Sequence, residues 1–318
     1  MKCGICGNSK GNSSYYVKEM KIGSGDNFKY MLCNECGTLQ LSAPPDDMHN
    51  YYPENFDSFY SIEQDKPSLL KKILFRIRNE HSFGKKVFLG ETIAKLFPNY
   101  INSYLFDLNI RKESKILDVG SGNGKLLSSL FKEGLHNTLG IDPHIEQDIT
   151  HAGGLKILKG GLERVSGMWD IILLNHSFEH ESSPKELLSG IRTILAPKGI
   201  CLIRTPVTDS WAFEHYRHHW VQIDAPRHYY IYSTDSLTLL AERCGFKVKK
   251  VIRDSTAFQF WGSEQYMKDI TLLSERSLSM GPAGSIFSRK EIRAFEKRAK
   301  KMNTMGIGDQ AAFYLVKE

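Results

Sequence analysis

Apolar positions follow two rhythms along this chain, and the changes between them predict its elements. Short apolar runs stand at 115–119, 139–141, 155–158, 169–175 and 200–204. Each suits a strand, and Trp169–Asn175 is apolar almost throughout, as a parallel strand covered on both faces must be. Between the runs the period lengthens to that of a helix. Leu126, Leu127, Leu130 and Phe131 share one helical face, and Gly134 stands just past its end. Ser183-Pro184-Lys185-Glu186 reads as a capping box with proline at the first helical position, opening a helix to about Leu195. Ser233-Thr234-Asp235 caps another helix that closes at Gly245, followed by a strand over Phe246–Ile252. Strands alternating with helices predict an α/β fold with a parallel sheet.

Outside that core, Tyr15–Val17 and Phe28–Leu32 read as short strands. Residues 67–108 read as two helices, the second broken near Pro98, placed to lid the glycine-rich stretch at 120–124. Near the C-terminal end a capping box, Ser288 to Glu291, opens a helix. Its apolar positions are Ile292, Phe295, Ala299 and Met302, and its other face is basic. A solvated or oligomer-facing surface explains that face more simply than an anion-binding one.

The glycine-rich stretch between the first core strand and its helix brings in chemistry. It runs Asp118-Val119-Gly120-Ser121-Gly122-Asn123-Gly124-Lys125. Glycines let backbone approach a ligand, and a helix N-terminus offers free N–H groups. The dinucleotide fingerprint wants a third glycine where Lys125 stands. A carboxylate at Asp118 suits a ligand carrying an ammonium and a sulfonium better than a phosphate. Asp142, at the end of the second run, is placed to bind a ribose diol. Pro143 follows it on the same rim.

These residues together resemble the class I S-adenosylmethionine-dependent methyltransferases. The resemblance implies a Rossmann-like seven-stranded sheet whose last strand, Ala311–Val316, runs antiparallel beside 246–252. It implies cofactor contacts at Asp118, Gly120, Ser121, Gly122, Gly124, Asp142, Pro143, Gly161, Leu162, Asn175 and His176. Many relatives carry an acid where Gly161 stands, so adenine is expected to meet the backbone of Gly161 and Leu162. The fourth core strand delivers His176-Ser177-Phe178-Glu179-His180 to the carboxyl edge of the sheet, where α/β folds bind ligands. Glu179-His180 resembles the acidic-His pair of small-molecule methyltransferases.

Two further stretches refine the picture. Cys3, Cys6, Cys33 and Cys36 form paired C-x-x-C knuckles, each followed by glycine (Gly7, Gly37). That spacing predicts a zinc ribbon with a structural, fully coordinated ion. Residues 206–232 are both aromatic and polar, too polar for core and too aromatic for a solvated loop. They suit a hydroxylated ring substrate. Trp220, Asp224 and Arg227, with Tyr51, Tyr52 and Glu179, are the expected acceptor contacts, with Arg227 as a phosphate holder. His180 and His228 are the expected bases or orienting groups. The cysteine module, Gly37–Leu41 and the tyrosines resemble the start of nucleotide-sugar C-methyltransferases. Their His-Glu-His stretch has its counterpart at Pro226-Arg227-His228, with arginine where the glutamate would stand.

The organisation expected is therefore a zinc ribbon over 1–45, a helical linker or lid over 46–113, and a methyltransferase domain over 114–318. Insertions are expected at 206–232 and 257–308. With 318 residues, a net charge of +6 and 41% hydrophobic content, the composition suits a globular enzyme and points weakly to an anionic partner. No run approaches the roughly 18 apolar residues of a membrane span. No signal-peptide pattern opens the chain, so a cytoplasmic protein is expected. The function expected is O-methylation of a small molecule, namely a sugar, nucleotide-sugar or glycan precursor of polysaccharide biosynthesis. Nucleotide-sugar C-methylation, RNA methylation with a zinc module, and a non-enzymatic zinc-ribbon binding protein stay open. Nucleic acid is the less favoured partner because no dense Lys/Arg patch accompanies the knuckles.

Overall fold

This computed structural model describes residues 1–52 and 110–318, with Leu74, Ile77, Thr92, Ile93, Leu105 and Leu108. The expected helices of 67–108 and the aromatic stretch from Phe56 to Tyr60 lie outside the described residues, apart from those isolated positions.

Among the described residues, two sheets organise the fold. The N-terminal sheet holds β1 (Ser13–Lys18), β2 (Asn27–Leu32) and β3 (Leu39–Leu41). The larger sheet begins at β4 (Ile116–Val119) and continues with β5 (Thr138–Asp142), β6 (Ile149–Thr150), β7 (Lys156–Lys159), β8 (Trp169–Asn175) and β9 (Leu195–Pro206). β10 (Tyr230–Ile231) leaves it to pair with β3, so the N-terminal sheet is completed by a strand from the far end of the sequence. β11 (Phe246–Arg253) and β12 (Gln310–Lys317) close the larger sheet.

The order across that sheet is β11-β12-β9-β8-β4-β5-β7-β6. β4 pairs in parallel with β5 and β8, and β12 is antiparallel to both neighbours. This is the seven-stranded methyltransferase arrangement with its last strand reversed. An eighth, two-residue strand, β6, is added antiparallel to β7, where the chain after Asp142 folds back along the edge. From β4 the chain first steps to β5 and β7, then returns to β8. The β4/β8 junction is thus the topological switch, and a crevice opens there at the carboxyl ends of the strands.

α1 (Lys125–Lys132) turns Leu127 and Leu130 onto the sheet and leaves Leu126 and Phe131 half-buried. α2 (Pro184–Ile194) carries proline in its first turn, but the Ser183 side chain caps nothing. Glu181 accepts the Ser183 N–H instead, at 2.8 Å, so the expected box is replaced by an acid two residues upstream. α3 (Trp211–Tyr216) and α4 (Thr234–Arg243) follow β9. Ser233 caps α4 reciprocally with Ser236. α5 (Phe258–Tyr266) and α6 (Arg289–Thr304) occupy the stretch between β11 and β12, and α6 has the predicted Ser288–Glu291 box. No helix among the described residues is long and apolar enough to cross a membrane.

The N-terminal sheet is not a detached appendage. Cys3, Ile5, Met31 and Cys33 belong to one apolar cluster with Leu174, Ile203, Leu237 and Phe313 of the main domain. Ser233 Oγ donates to Cys36 O at 2.6 Å, and Thr208 Oγ1 to Gly37 O at 2.7 Å. A second cluster joins Val17, Tyr30 and Leu39 to Phe213, Trp220 and Phe260.

Candidate active site

A cavity of about 1080 Å³ lies over the β4/β8 junction. Its two ends differ in construction.

One end is the glycine turn. Gly120, Gly122 and Gly124 all adopt positive φ (73°, 54° and 81°), the region that L side chains avoid. A side chain at Gly120 would collide with Ser177, and at Gly124 with Ile157, whereas Gly122 faces open cavity. Gly124 itself does not line the cavity. It begins α1 and packs on the sheet. Asp142 Oδ2 accepts the Gly122 N–H at 2.8 Å, and Oδ1 accepts His144 N at 2.8 Å, so the carboxylate is rigidly set on the rim. Asp118 is buried, and its Oδ1 has no partner among the described residues. Burial, then the neighbouring Asp142, pushes its pKa up to about 7. An unpartnered buried carboxylate oxygen beside an open glycine cradle fits a cationic ligand. Ser121, Pro143, Gly161, Leu162, Asn175 and His176 also border this space. Both backbone groups of Gly161 are used within its own turn: N–H to Glu163 and C=O to Arg164. Leu162 O likewise accepts Val165 N at 3.0 Å, which leaves the Leu162 N–H as the backbone candidate for adenine.

The other end is assembled from distant segments. His180 and His228 pack edge to face with centroids 4.6 Å apart. His180 Nδ1 lies 3.0 Å from Arg227 O, and His228 Nδ1 lies 2.9 Å from Gln222 O. A carbonyl only accepts, so each Nδ1 carries the proton and each Nε2 keeps a lone pair. Burial holds both rings below the usual imidazole range, His228 down to about 3. They are neutral proton acceptors at pH 7.

Glu179 is fully buried between Thr205 Oγ1 (2.9 Å) and His176 Nδ1 (3.2 Å). Arg204 donates to His176 Nε2 at 2.7 Å, which places the His176 proton on Nδ1 toward Glu179. Burial works to raise the Glu179 pKa. The hydrogen bond from His176, and the positive charge the nearby histidines take on only in acid, outweigh it and hold the carboxyl down, at about 2. Glu179, His180 and His228 each bring one ligand-type atom within 4.8 Å of the others, a spacing that also admits a metal ion. Tyr52 lines the cavity, stacks on His144 and reaches His180 Nδ1 at 3.3 Å.

Three expected acceptor contacts lie elsewhere. Trp220 is 1% exposed in the second cluster, its indole N–H bound to Asp309 Oδ2 at 2.9 Å; it is core. Arg227 is fully buried. Its guanidinium bonds Asp224 Oδ1, Glu19 Oε1 and Tyr51 O, which leaves it no reach to a phosphate. Tyr51 turns away from the cavity to donate to Asp26 Oδ2 at 2.9 Å. Asp224 does line the cavity. Sequence reading missed Lys21, Gln222 and Gln310, which border it as well. Nothing local marks them, because each arrives through long-range packing.

At the knuckles, Cys3 Sγ–Cys36 Sγ is 3.7 Å and Cys6 Sγ–Cys33 Sγ is 3.5 Å. All four sulfurs lie within 4.8 Å of one another. Tetrahedral zinc with ~2.3 Å bonds sets sulfurs roughly 3.8 Å apart, so the cluster is compatible with a zinc ribbon. Gly7 and Gly37 supply the left-handed turns, each N–H closing on the first cysteine's carbonyl at 3.0 Å.

Comparison with known proteins agrees with the geometry. Residues 86–251 match the family described as "Methyltransferase domain". Over 144 residues the chain is 31% identical to the mitochondrial ubiquinone biosynthesis O-methyltransferase of Saccharomyces cerevisiae. That match covers 41% of this chain and 46% of the yeast protein, less than half of that relative's length. Among solved structures, a SAM-dependent methyltransferase from Archaeoglobus fulgidus has 18% identity and a TM-score of 0.42, covering 72% of this chain and 99% of its own. A cyclopropane synthase from Mycobacterium tuberculosis has 15% identity and a TM-score of 0.45, covering 80% of this chain and 100% of its own. Joined to the strand order, the glycine turn and the two carboxylates, the family match shows that this chain belongs to the methyltransferase-domain family.

Proposed function

We propose that the protein is an S-adenosylmethionine-dependent methyltransferase that transfers the methyl group of that cofactor to a hydroxyl of a small hydroxylated acceptor, a sugar, nucleotide-sugar or glycan precursor. The observation that carries this reading is the pair of neutral imidazoles, His180 and His228, facing the cavity beside the polar groups Asp224, Gln222 and Gln310. The cofactor supplies an electrophilic methyl on a sulfonium. Asp118 pairs with its ammonium, Asp142 holds the ribose, and Gly120, Ser121 and Gly122 give it room. Leu162, Asn175 and His176 border it.

On the acceptor side, an Nε2 lone pair would take the hydroxyl proton while the oxygen gains the methyl and the sulfonium, losing its S–C bond, would leave as a neutral thioether. The ionised Glu179 beside His180 favours the resulting imidazolium. The two rings act as one unit, since a proton on either disfavours one on the other. Arg227, once expected at a phosphate, instead supports Asp224. The pairing of Lys21 with Asp224 puts one cavity cation within reach of an anionic substituent.

His180→Ala and His228→Ala are expected to lower turnover by ~10²–10⁴ with S-adenosylhomocysteine affinity kept. Full turnover in both variants refutes the role. Cys3, Cys6, Cys33 and Cys36 are proposed to hold one structural Zn²⁺. Metal analysis is expected to give about one ion per chain, and stripping it to unfold the N-terminal sheet. A metal-free, fully folded sample refutes that assignment. The proposed division is a cysteine module over 1–45, a connecting segment over 46–113 and a catalytic domain over 114–318.

A further inference from the structure

We propose that the N-terminal cysteine module is part of the acceptor site: its Lys21, paired with Asp224, forms a polar clamp for neighbouring hydroxyls of the acceptor ring. The proposal rests on the hydroxylated-acceptor reading above.

The loop after β1 is built around one carboxylate. Glu19 is fully buried. Its Oε1 accepts the N–H groups of Lys21 (2.9 Å) and Ile22 (3.0 Å), and its Oε2 those of Gly23 (2.8 Å) and Ser24 (3.0 Å). Arg227 Nη2 completes the shell at 2.8 Å. The same loop is tied from its other side, where Leu272 N donates to Met20 O and Leu273 N to Lys21 O. The backbone at Lys21 is therefore fixed by three regions of the chain at once.

That fixed loop aims an ammonium at the cavity. Lys21 Nζ lies 2.9 Å from Asp224 Oδ2, and the two side chains are 16% and 12% exposed. Asp224 Oδ2 is also 3.9 Å from His228 Nε2, so the pair adjoins the acceptor histidine. Asp224 is held at φ 44°, a strained value for a residue with a side chain. A desolvated ion pair contributes little to stability compared with apolar filling of the same space. The surrounding wall of Val221, Phe258, Trp261 and Leu272 shows that apolar filling was available. A ligand role accounts for the pair. An ammonium donates and a carboxylate accepts, which together match a hydroxyl's own donor and acceptor. Two adjacent ring hydroxyls bridging the pair would hold a third at the histidines.

The test compares wild type with Lys21→Met and Lys21→Arg. Free hexoses and nucleoside-diphosphate hexoses are screened as acceptors by release of S-adenosylhomocysteine, and binding of that product is titrated separately. For an accepted sugar, Lys21→Met is expected to raise KM about tenfold or more, the loss of a charge-assisted hydrogen bond, with kcat changed less. Product affinity is expected to stay at the wild-type level, and Lys21→Arg to recover part of the KM. An unchanged KM in Lys21→Met overturns the clamp and leaves the acceptor reading standing. A KM change that comes with equal loss of product affinity assigns Lys21 to the fold and also overturns it. No sugar accepted by wild type overturns the acceptor reading and the clamp with it. Should Lys21→Met not fold, Lys21→Gln is measured in its place, against the same outcomes.

Discussion

The two ends of the cavity are made in opposite ways. The end proposed for the cofactor comes from neighbouring stretches of sequence: a strand, a glycine turn, and the end of the adjacent strand. Its key contact, Gly122 N–H to Asp142, spans 20 residues and follows from parallel pairing of β4 and β5. The end proposed for the acceptor is joined from Glu19–Lys21, Tyr52, Glu179–His180 and Gln222–His228. Its ties run over about two hundred residues, as in Lys21 to Asp224 and Arg227 to Glu19. A βα turn repeats across a family because one ligand is kept. A surface assembled from insertions is free to change with the acceptor.

The sharpest way to break that comparison is at the rim carboxylate. Asp142→Ala removes the acceptor for Gly122 N–H and a hydrogen-bonding carboxylate from the ribose position. Cofactor affinity is expected to fall about 100-fold by calorimetry, two charge-assisted hydrogen bonds at ~1.5 kcal/mol each. An unaffected affinity would place the ribose elsewhere.

A smaller effect separates Asp118 from the histidines. Its pKa stands raised, at about 7, so the carboxyl is largely protonated below neutrality, while a cationic ligand needs the carboxylate. Affinity should fall as pH drops through 7, by at most about tenfold per pH unit. The stability of the unliganded protein has the opposite sign. The folded state binds the extra proton between the unfolded value of 3.8 and 7, so Asp118 costs stability as pH rises across that window. Asp118→Asn is expected to flatten both dependences. A cofactor affinity that falls equally with pH in the variant would shift the effect to another group.

The smallest effects test local signals. Ser288→Ala, which breaks a formed capping box, is expected to cost about 1 kcal/mol in thermal or denaturant unfolding. Ser183→Ala, where the side chain caps nothing, should cost no more than a few tenths. Equal losses at both would contradict the difference between the two helix starts.

The catalytic sheet was legible because its evidence is local. Apolar runs, turn glycines and caps act within a few residues, and parallel strands buried on both faces read as near-continuous apolar segments. The four cysteines were legible for the same reason, since each knuckle needs only C-x-x-C and a glycine. At the acceptor end the residue types were noticed and their use was not always recovered. Trp220, Arg227 and Tyr51 have the chemistry of ligand contacts, yet each is claimed first by a buried partner. A side chain's direction depends on what packs behind it, and here that partner is a distant segment.

The sequence by itself thus determined the α/β sheet, the glycine turn with its two acids, and the cysteine knuckles, because short-range sterics and hydrogen bonding dictate them. Only the tertiary structure decided that β10 completes the N-terminal sheet. It alone buried Arg227 between Glu19 and Asp224, and it alone carried Lys21 into the cavity. Those outcomes follow from satisfying buried charges across the whole chain, a condition that no single stretch of residues contains.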